Sequence, residues 1–360
     1  MPDPAILPTG SNRPLRHPDE LVRAGLVPPE RLAALEQVAQ RYAVAITPAM
    51  AELVDLNDPN DPIARQFVPD LAELDHHPEE LADPIGDHAH SPVKGIVHRY
   101  PDRVLLKPSH ACPVYCRFCF RREMVGPGGE ALTPAEFARA VGYIADHPEI
   151  WEVVITGGDP LMLSPRRLGE LVQALSSIPH VAVIRFHSRV PVVDPARIDA
   201  PLVAALATDK ALWIAVHANH ARELGEAQAA ACRRLSQAGI PLLGQTVLLR
   251  GVNDEVSALT DLFRRLVALR IKPYYLHHGD LAPGTAQFRT SIDEGQALVR
   301  ALRGAISGLC QPTYVLDIPG GHGKAPIGPG FLEKAGAGQW LVTDFQGETH
   351  LYPPAAPSSR

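Results

Sequence analysis

Seven short apolar runs recur between residues 103 and 321, with helix-like segments between most of them. In order they are RVLLKPS (103–109), EVVITGGD (152–159), VAVIRFHSR (181–189), LWIAVHANH (212–220), PLLGQTVLLRG (241–251), KPYYLHHGD (272–280) and TYVLDIPGG (313–321). PAEFARAVGYIADHP (134–148), LGELVQALSSIP (168–179) and EAQAAACRRLSQAG (226–239) read as intervening helices. Strand and helix alternating every ~30 residues mean βαβ units and a parallel sheet. The runs are apolar throughout, as strands buried on both faces should be. Six or so such units predict an α/β fold with an open or incomplete barrel, and a doubly wound sheet stays open as the alternative. Residues 1–92 are expected to form a helical and loop-rich extension, with Leu32, Leu35 and Val38 on one helix face. Residues 93–324 form the barrel core, and 325–360 a short tail.

Composition narrows the class. A net charge of -6, with no basic run or arm, argues against a nucleic-acid binder. No stretch has the roughly 18 uninterrupted apolar residues a membrane helix needs. The proline-rich start, MPDPAILPTGSNRPLRHP, reads as a flexible lead-in and not as a secretory signal. Five cysteines, three of them clustered, make no disulfide framework. A reducing, cytoplasmic setting is expected.

Each apolar run ends in polar or glycine residues: Ser109-His110, Gly157-Gly158-Asp159, His187-Ser188-Arg189, His217, Gln245, His277-His278 with Asp280, and Asp317. In parallel α/β folds chemistry gathers at the carboxyl ends of strands, so these endings point to one mouth. The loop after the first run, SHACPVYCRFCFRR (109–122), sets Cys112, Cys116 and Cys119 as C-x-x-x-C-x-x-C. A structural zinc usually takes four protein ligands, and no partner C-x-x-C exists. Three thiolates on one loop suit a 4Fe-4S cluster with one iron left open. A three-cysteine zinc site completed by His110 is the alternative. Cys232 and Cys310 read as buried small residues.

At the other end, DIPGGHGKAPIGPG (317–330) sets Lys324 among glycines. It is no phosphate loop, because Ile318 and Ala325 stand where that pattern needs glycine and Ser or Thr. A lone amine on a glycine-rich loop suits pyridoxal phosphate, and HRYPDR (98–103) supplies Arg99 and Arg103 for a phosphate. The plainer alternative is a flexible turn with a solvated lysine. Asp280 and Asp317 both close apolar strands, where an unpaired carboxylate is costly to desolvate. Either a cationic ligand or a capping role would satisfy them.

The cysteine loop, with Tyr115 and Phe118 before its second and third cysteines, resembles the radical S-adenosylmethionine superfamily. TGGDP (156–160) resembles that superfamily's glycine-rich stretch. The resemblance implies a partial (βα)6, TIM-like barrel in which the open iron binds S-adenosylmethionine and reductive cleavage gives a 5'-deoxyadenosyl radical. HRYPDRVLL, CFRR, PYYLHHGD and D-x-P-G-G-x-G-K, in that order over residues 90–330, further resemble the lysine 2,3-aminomutase family. This implies an isomerase that moves the amino group of L-lysine to give β-lysine. Lys324 would carry pyridoxal phosphate, with Arg99, Tyr100 and Arg103 beside it. Arg121 would grip the substrate carboxylate, and Asp280 and Asp317 its distal ammonium. Gly157, Gly158, Asp159, Ser188, Arg189, His217 and Gln245 would surround S-adenosylmethionine. A reductase or a flavodoxin- or ferredoxin-type protein would donate the electron.

Departures from the pattern keep neighbouring activities open. Phe120, after the third cysteine, gives some likeness to the branch that serves elongation factor P, and His322 interrupts the glycine run. Relatives acting on arginine or glutamate stay alternatives, and the short tail leaves homo-oligomer formation open. The histidine-rich DHHPEELADPIGDHAH (75–90) reads as a solvated loop, with metal binding as its alternative.

Overall fold

A computed structural model describes residues 13–126, 131–336 and 338–354. Residues 1–12 of the expected lead-in lie outside that range. Strands β1 (Ile96–Tyr100) and β2 (Arg103–Ser109) form an antiparallel pair. From β2 the sheet continues through β3 (Glu152–Gly157), β4 (Val183–Ser188), β5 (Ala211–His217), β6 (Leu242–Val247), β7 (Ile271–His277) and β8 (Thr313–Asp317), each parallel to the last. β9 (Lys324–Pro326) then turns back antiparallel to β8. Spatial order follows chain order from β1 to β9.

Every apolar run is thus a strand. Helices Pro134–Ala145, Pro165–Ser176, Ala200–Ala205, Glu226–Gln237, Val256–Ala268 and Ile292–Leu302 separate β2 to β8, giving the expected partial (βα)6 barrel as an open, curled half-barrel. Local chemistry starts and orients them. Thr133 and Ser291 open their helices with capping boxes to Glu136 and Glu294, satisfying donors that a helix start leaves orphaned. Leu168, Leu171, Val172 and Leu175 bury one face of Pro165–Ser176 against the sheet.

Residues 13–92 do not form a separate unit. Helix Leu32–Arg41 forms as expected, with Leu35 and Val38 buried. Leu21, Leu35, Ile46, Ile63 and Phe67 belong to the same apolar core as Val104, Ile155 and Phe186. A buried ion pair reinforces this. Glu73, from the N-terminal region, accepts hydrogen bonds from Arg117 and Arg122, which flank the third cysteine. Arg122 also lies 3.6 Å over the Tyr42 ring. Removing one partner of such a group leaves an uncompensated buried charge. Glu73→Ala is therefore expected to cost about 3–5 kcal/mol, read as a lowered urea midpoint of the cofactor-free protein. A midpoint equal to that of the unaltered chain would contradict the pairing.

The described residues after 324 are structured. β10 (Leu332–Gly336), β11 (Gln339–Thr343) and β12 (Thr349–Tyr352) form a second, antiparallel sheet, and a boundary at 324 cuts through the β8–β9 hairpin. Most of these residues are exposed on both faces, so they lack the alternation that marks a half-buried strand. Among the described residues no helix is long and apolar enough to cross a membrane.

Candidate active site

All nine strands of the main sheet contribute side chains to one cavity of about 500 Å³ at the strand ends, and every site residue nominated from the sequence lines it. The cysteine loop and the glycine turn after β3 are fitted backbone to backbone. Gly157 holds φ +110°, and a Cβ on Gly158 would come within 2.5 Å of the His110 carbonyl carbon. Gly158 N–H donates to Ser109 O at 2.8 Å and Asp159 N–H to Ala111 O at 2.9 Å.

Asp159 and Ser188 are less free than a ligand-binding role suggests. The Asp159 carboxylate accepts from Ser188 Oγ at 2.7 Å, Arg189 N at 2.6 Å, and Leu161 N and Val190 N at 3.1 Å. It ties the β3 turn to the β4 turn, so both side chains line the cavity already partnered. Arg189 is likewise engaged with Cys116 Sγ, Gln66 and Glu223.

Cys112, Cys116 and Cys119 sit on this wall, while Cys232 and Cys310 are buried in the main core. Burial pushes the Cys119 thiol up to about 11, with Cys116 adding to the effect. Burial, Asp159 and the other two cysteines push Cys112 up as well. Thiols that oppose one another's ionisation in this way suit a bound cation, which deprotonates a coordinating thiol outright. The donor set fits an iron–sulfur cluster.

The neighbouring polar groups are unfinished. His217 and Gln245 sit side by side in the β5–β6 register. His217 is held neutral, its pKa lowered to about 3 by burial and then by the Arg189 charge. His217 Nε2 and Gln245 Oε1 are buried and have no hydrogen-bond partner among the described residues. Each orphaned group costs about 1–3 kcal/mol, which a polar ligand in the cavity would recover.

At the Lys324 end, the β8–β9 register sets Asp317 opposite Lys324. Lys324 Nζ donates to Asp317 Oδ1 at 2.6 Å, and His277 Nδ1 lies 3.4 Å from Asp317 Oδ2. Lys324 N–H donates to the Tyr100 hydroxyl at 2.7 Å, and Arg103 stacks 3.8 Å over the Tyr100 ring. Burial raises the Asp317 pKa, but the hydrogen bond from His277 and the charge of Lys324 outweigh it and hold the acid well below its usual range. Asp280 goes the other way. Burial and then the Asp317 charge push it up to about 7, against Lys324 and Arg121.

The histidine-rich segment expected to be a solvated loop supplies one buried residue here. Asp87 is buried, and three cations converge on it: Arg121 Nη2 at 2.9 Å, Arg99 Nη2 at 3.1 Å and Lys107 Nζ at 3.4 Å. Burial opposes its ionisation, yet Arg121 and Lys107 lower it to about 2. Three positive groups on one carboxylate leave positive charge in excess, and Arg99 Nε and Arg121 Nε have no partner among the described residues. That suits a phosphate and a carboxylate. Nothing local in the sequence marks Asp87, because its partners lie 12, 20 and 34 positions away. The segment also braces the lysine loop. Gly86 (φ +68°) packs on Gly321 (φ +85°), where a Cβ would meet backbone, and His90 Nε2 lies 3.1 Å from Gly321 O.

A cysteine triad after the first parallel strand of a half-barrel, packed against a glycine turn in the wall of one cavity, defines a radical S-adenosylmethionine site. Residues 106–263 match the Radical SAM superfamily model, and residues 299–357, which take in β8 to β12, match the model described as Lysine-2,3-aminomutase. The L-lysine 2,3-aminomutase of Clostridium subterminale is 39% identical over 323 residues, 90% of this chain and 78% of that protein. That of Acetoanaerobium sticklandii is 39% identical over 334 residues, 93% of this chain and 81% of its own length. A glutamate 2,3-aminomutase of Clostridioides difficile is 34% identical over 314 residues, 87% and 74% of the two chains. The chain belongs to the lysine 2,3-aminomutase family. It is an isomerase of a family that uses a 4Fe-4S cluster, S-adenosylmethionine and pyridoxal phosphate.

Proposed function

We propose that the chain converts L-lysine to β-lysine by a 1,2-shift of the amino group. The observation that carries the choice of lysine is a pair of acids in the cavity wall, the buried Asp317 and the half-buried Asp280. An anionic side chain would face both of them, whereas an ammonium would relieve both.

Cys112, Cys116 and Cys119 hold the cluster, and His217, Gln245 and the Gly157–Gly158 backbone meet S-adenosylmethionine. Lys324 carries pyridoxal phosphate, with Arg99, Tyr100 and Arg103 around it. When bound, these groups supply a hydrogen-abstracting radical and an electron sink for the migrating nitrogen. The protein's own part is placement. Arg121 takes the substrate carboxylate through its planar fork. Lys324 would hold the cofactor, and the substrate's distal ammonium would take the place beside Asp317 that Lys324 Nζ occupies at 2.6 Å. His277 keeps Asp317 oriented, and the cavity walls keep water from the radical. A low-potential electron donor in the cytoplasm reduces the cluster to start turnover, and the isomerisation itself consumes no net electron.

Asp317→Asn and Asp280→Asn test this reading. Each charge-assisted contact is worth about 1.5–3 kcal/mol, so kcat/KM for L-lysine is expected to fall roughly 10- to 100-fold, with pyridoxal absorbance retained. Asp280 must ionise to accept a cation, so lysine kcat/KM should rise as pH passes through about 7. That rise should flatten in Asp280→Asn. L-Glutamate should be inert, and its turnover at the rate of lysine by the unaltered chain would overturn the proposal. L-Arginine, also cationic, is excluded only by the length of the pocket.

A further inference from the structure

Arg189 follows β4 and is buried with its guanidinium fork fully directed. Nη1 donates to Cys116 Sγ at 3.0 Å, and Nη2 donates to Glu223 Oε2 at 2.6 Å and Gln66 Oε1 at 2.7 Å. The guanidinium carbon lies 4.8 Å from the Phe67 ring centre and 5.2 Å from that of Phe118, so aromatic faces shield it from water. Nε has no partner among the described residues.

Glu223, fully buried, is fixed in turn. Its Oε1 accepts from His220 N at 2.8 Å, Asn219 N at 2.9 Å and Gln66 Nε2 at 3.1 Å. These bonds hold the carboxylate as a rigid counter-charge behind the arginine. A guanidinium held this way cannot swing out to bind a ligand in the cavity. Its charge is delivered to a sulfur.

We infer that Arg189 and Glu223 together set the reduction potential of the cluster, Arg189 acting through Cys116. The inference rests on the proposal that the three cysteines hold a 4Fe-4S cluster. One-electron reduction adds negative charge to a cluster, and hydrogen bonds to its sulfurs together with local net charge decide how easily that happens. Arg189 stabilises the reduced form. Glu223 opposes part of that positive charge and keeps the potential low enough for the reduced cluster to pass its electron on. In a low-dielectric site both effects are larger than in water.

The two residues therefore act with opposite sign, which a purely structural role would not produce. The full chain is reconstituted anaerobically with iron and sulfide, and the reduced fraction is followed by electron paramagnetic resonance at mediator-poised potentials. Arg189→Gln should lower the midpoint, shifting the reduction equilibrium about tenfold, or ~59 mV for one electron. Glu223→Gln keeps the shape and one of the two accepting oxygens of the side chain while removing its charge, and should raise the midpoint. Opposite shifts support the inference, and shifts of the same sign, or none, overturn it. Should Arg189→Gln fail to fold, Glu223→Gln decides alone, with a rise in support and a fall or no change against. An unaltered chain that takes up no iron and sulfide ends the cluster proposal itself, and that is seen before any potential is measured.

Discussion

Cys112→Ala, Cys116→Ala and Cys119→Ala are each expected to give a folded chain that binds no 4Fe-4S cluster and cleaves no S-adenosylmethionine. The loss should be complete, because a cluster site with three protein ligands has none to spare. Cys232 and Cys310 are buried in the main apolar core and offer no replacement. Cys232→Ala and Cys310→Ala should accordingly leave the cluster's visible absorption and the cleavage reaction intact. Folding should survive the three site changes, since trimming a partly exposed thiol creates little cavity. Zinc in anaerobically purified protein, with no iron gained on reconstitution, would defeat the assignment and favour a zinc site.

Lys324→Ala is expected to abolish turnover by a different route, keeping the cluster while losing the borohydride-stable pyridoxyl label. The two sites come from opposite ends of the half-barrel sequence, the cysteines after β2 and the lysine at the start of β9. Other lysines are poor substitutes. Lys107 Nζ is held by the buried Asp87, and Lys272 Nζ donates to the Pro273 and Gln311 carbonyls. Pyridoxal phosphate added back with an external amine should restore cofactor absorbance sooner than turnover, because the tether that places the cofactor is gone. A label that persists in Lys324→Ala and maps to Lys107 or Lys272 would overturn the assignment.

What could be read from the sequence was whatever is written locally. Strands buried on both faces print as continuous apolar runs, so β2 to β8 were all found, and their polar endings marked the mouth. The cysteine spacing and the lysine among glycines are equally local. β1, with His98 and Arg99 in a five-residue strand, prints as a basic stretch, and β10 to β12 bury too little to leave a pattern. The pairings that hold the site were invisible for another reason. Glu73 meets Arg117 44 positions on, and Gln66 meets Arg189 across 123. No period or spacing connects such partners before the chain is folded. Asp159 and Arg189 show the converse. A polar residue ending a strand can face the cavity or its neighbouring turn, and only the folded backbone decides which.

Gln66, Glu73 and Asp87 do not line the cavity themselves, yet they hold Arg189, Arg117 with Arg122, and Arg121 with Arg99. The anchoring acids and amide thus precede the barrel in the chain, and the cations they steady lie within it. The two regions are interlocking halves of one instrument, and a change confined to Gln66, Glu73 or Asp87 would retune the pocket without altering any side chain of its lining.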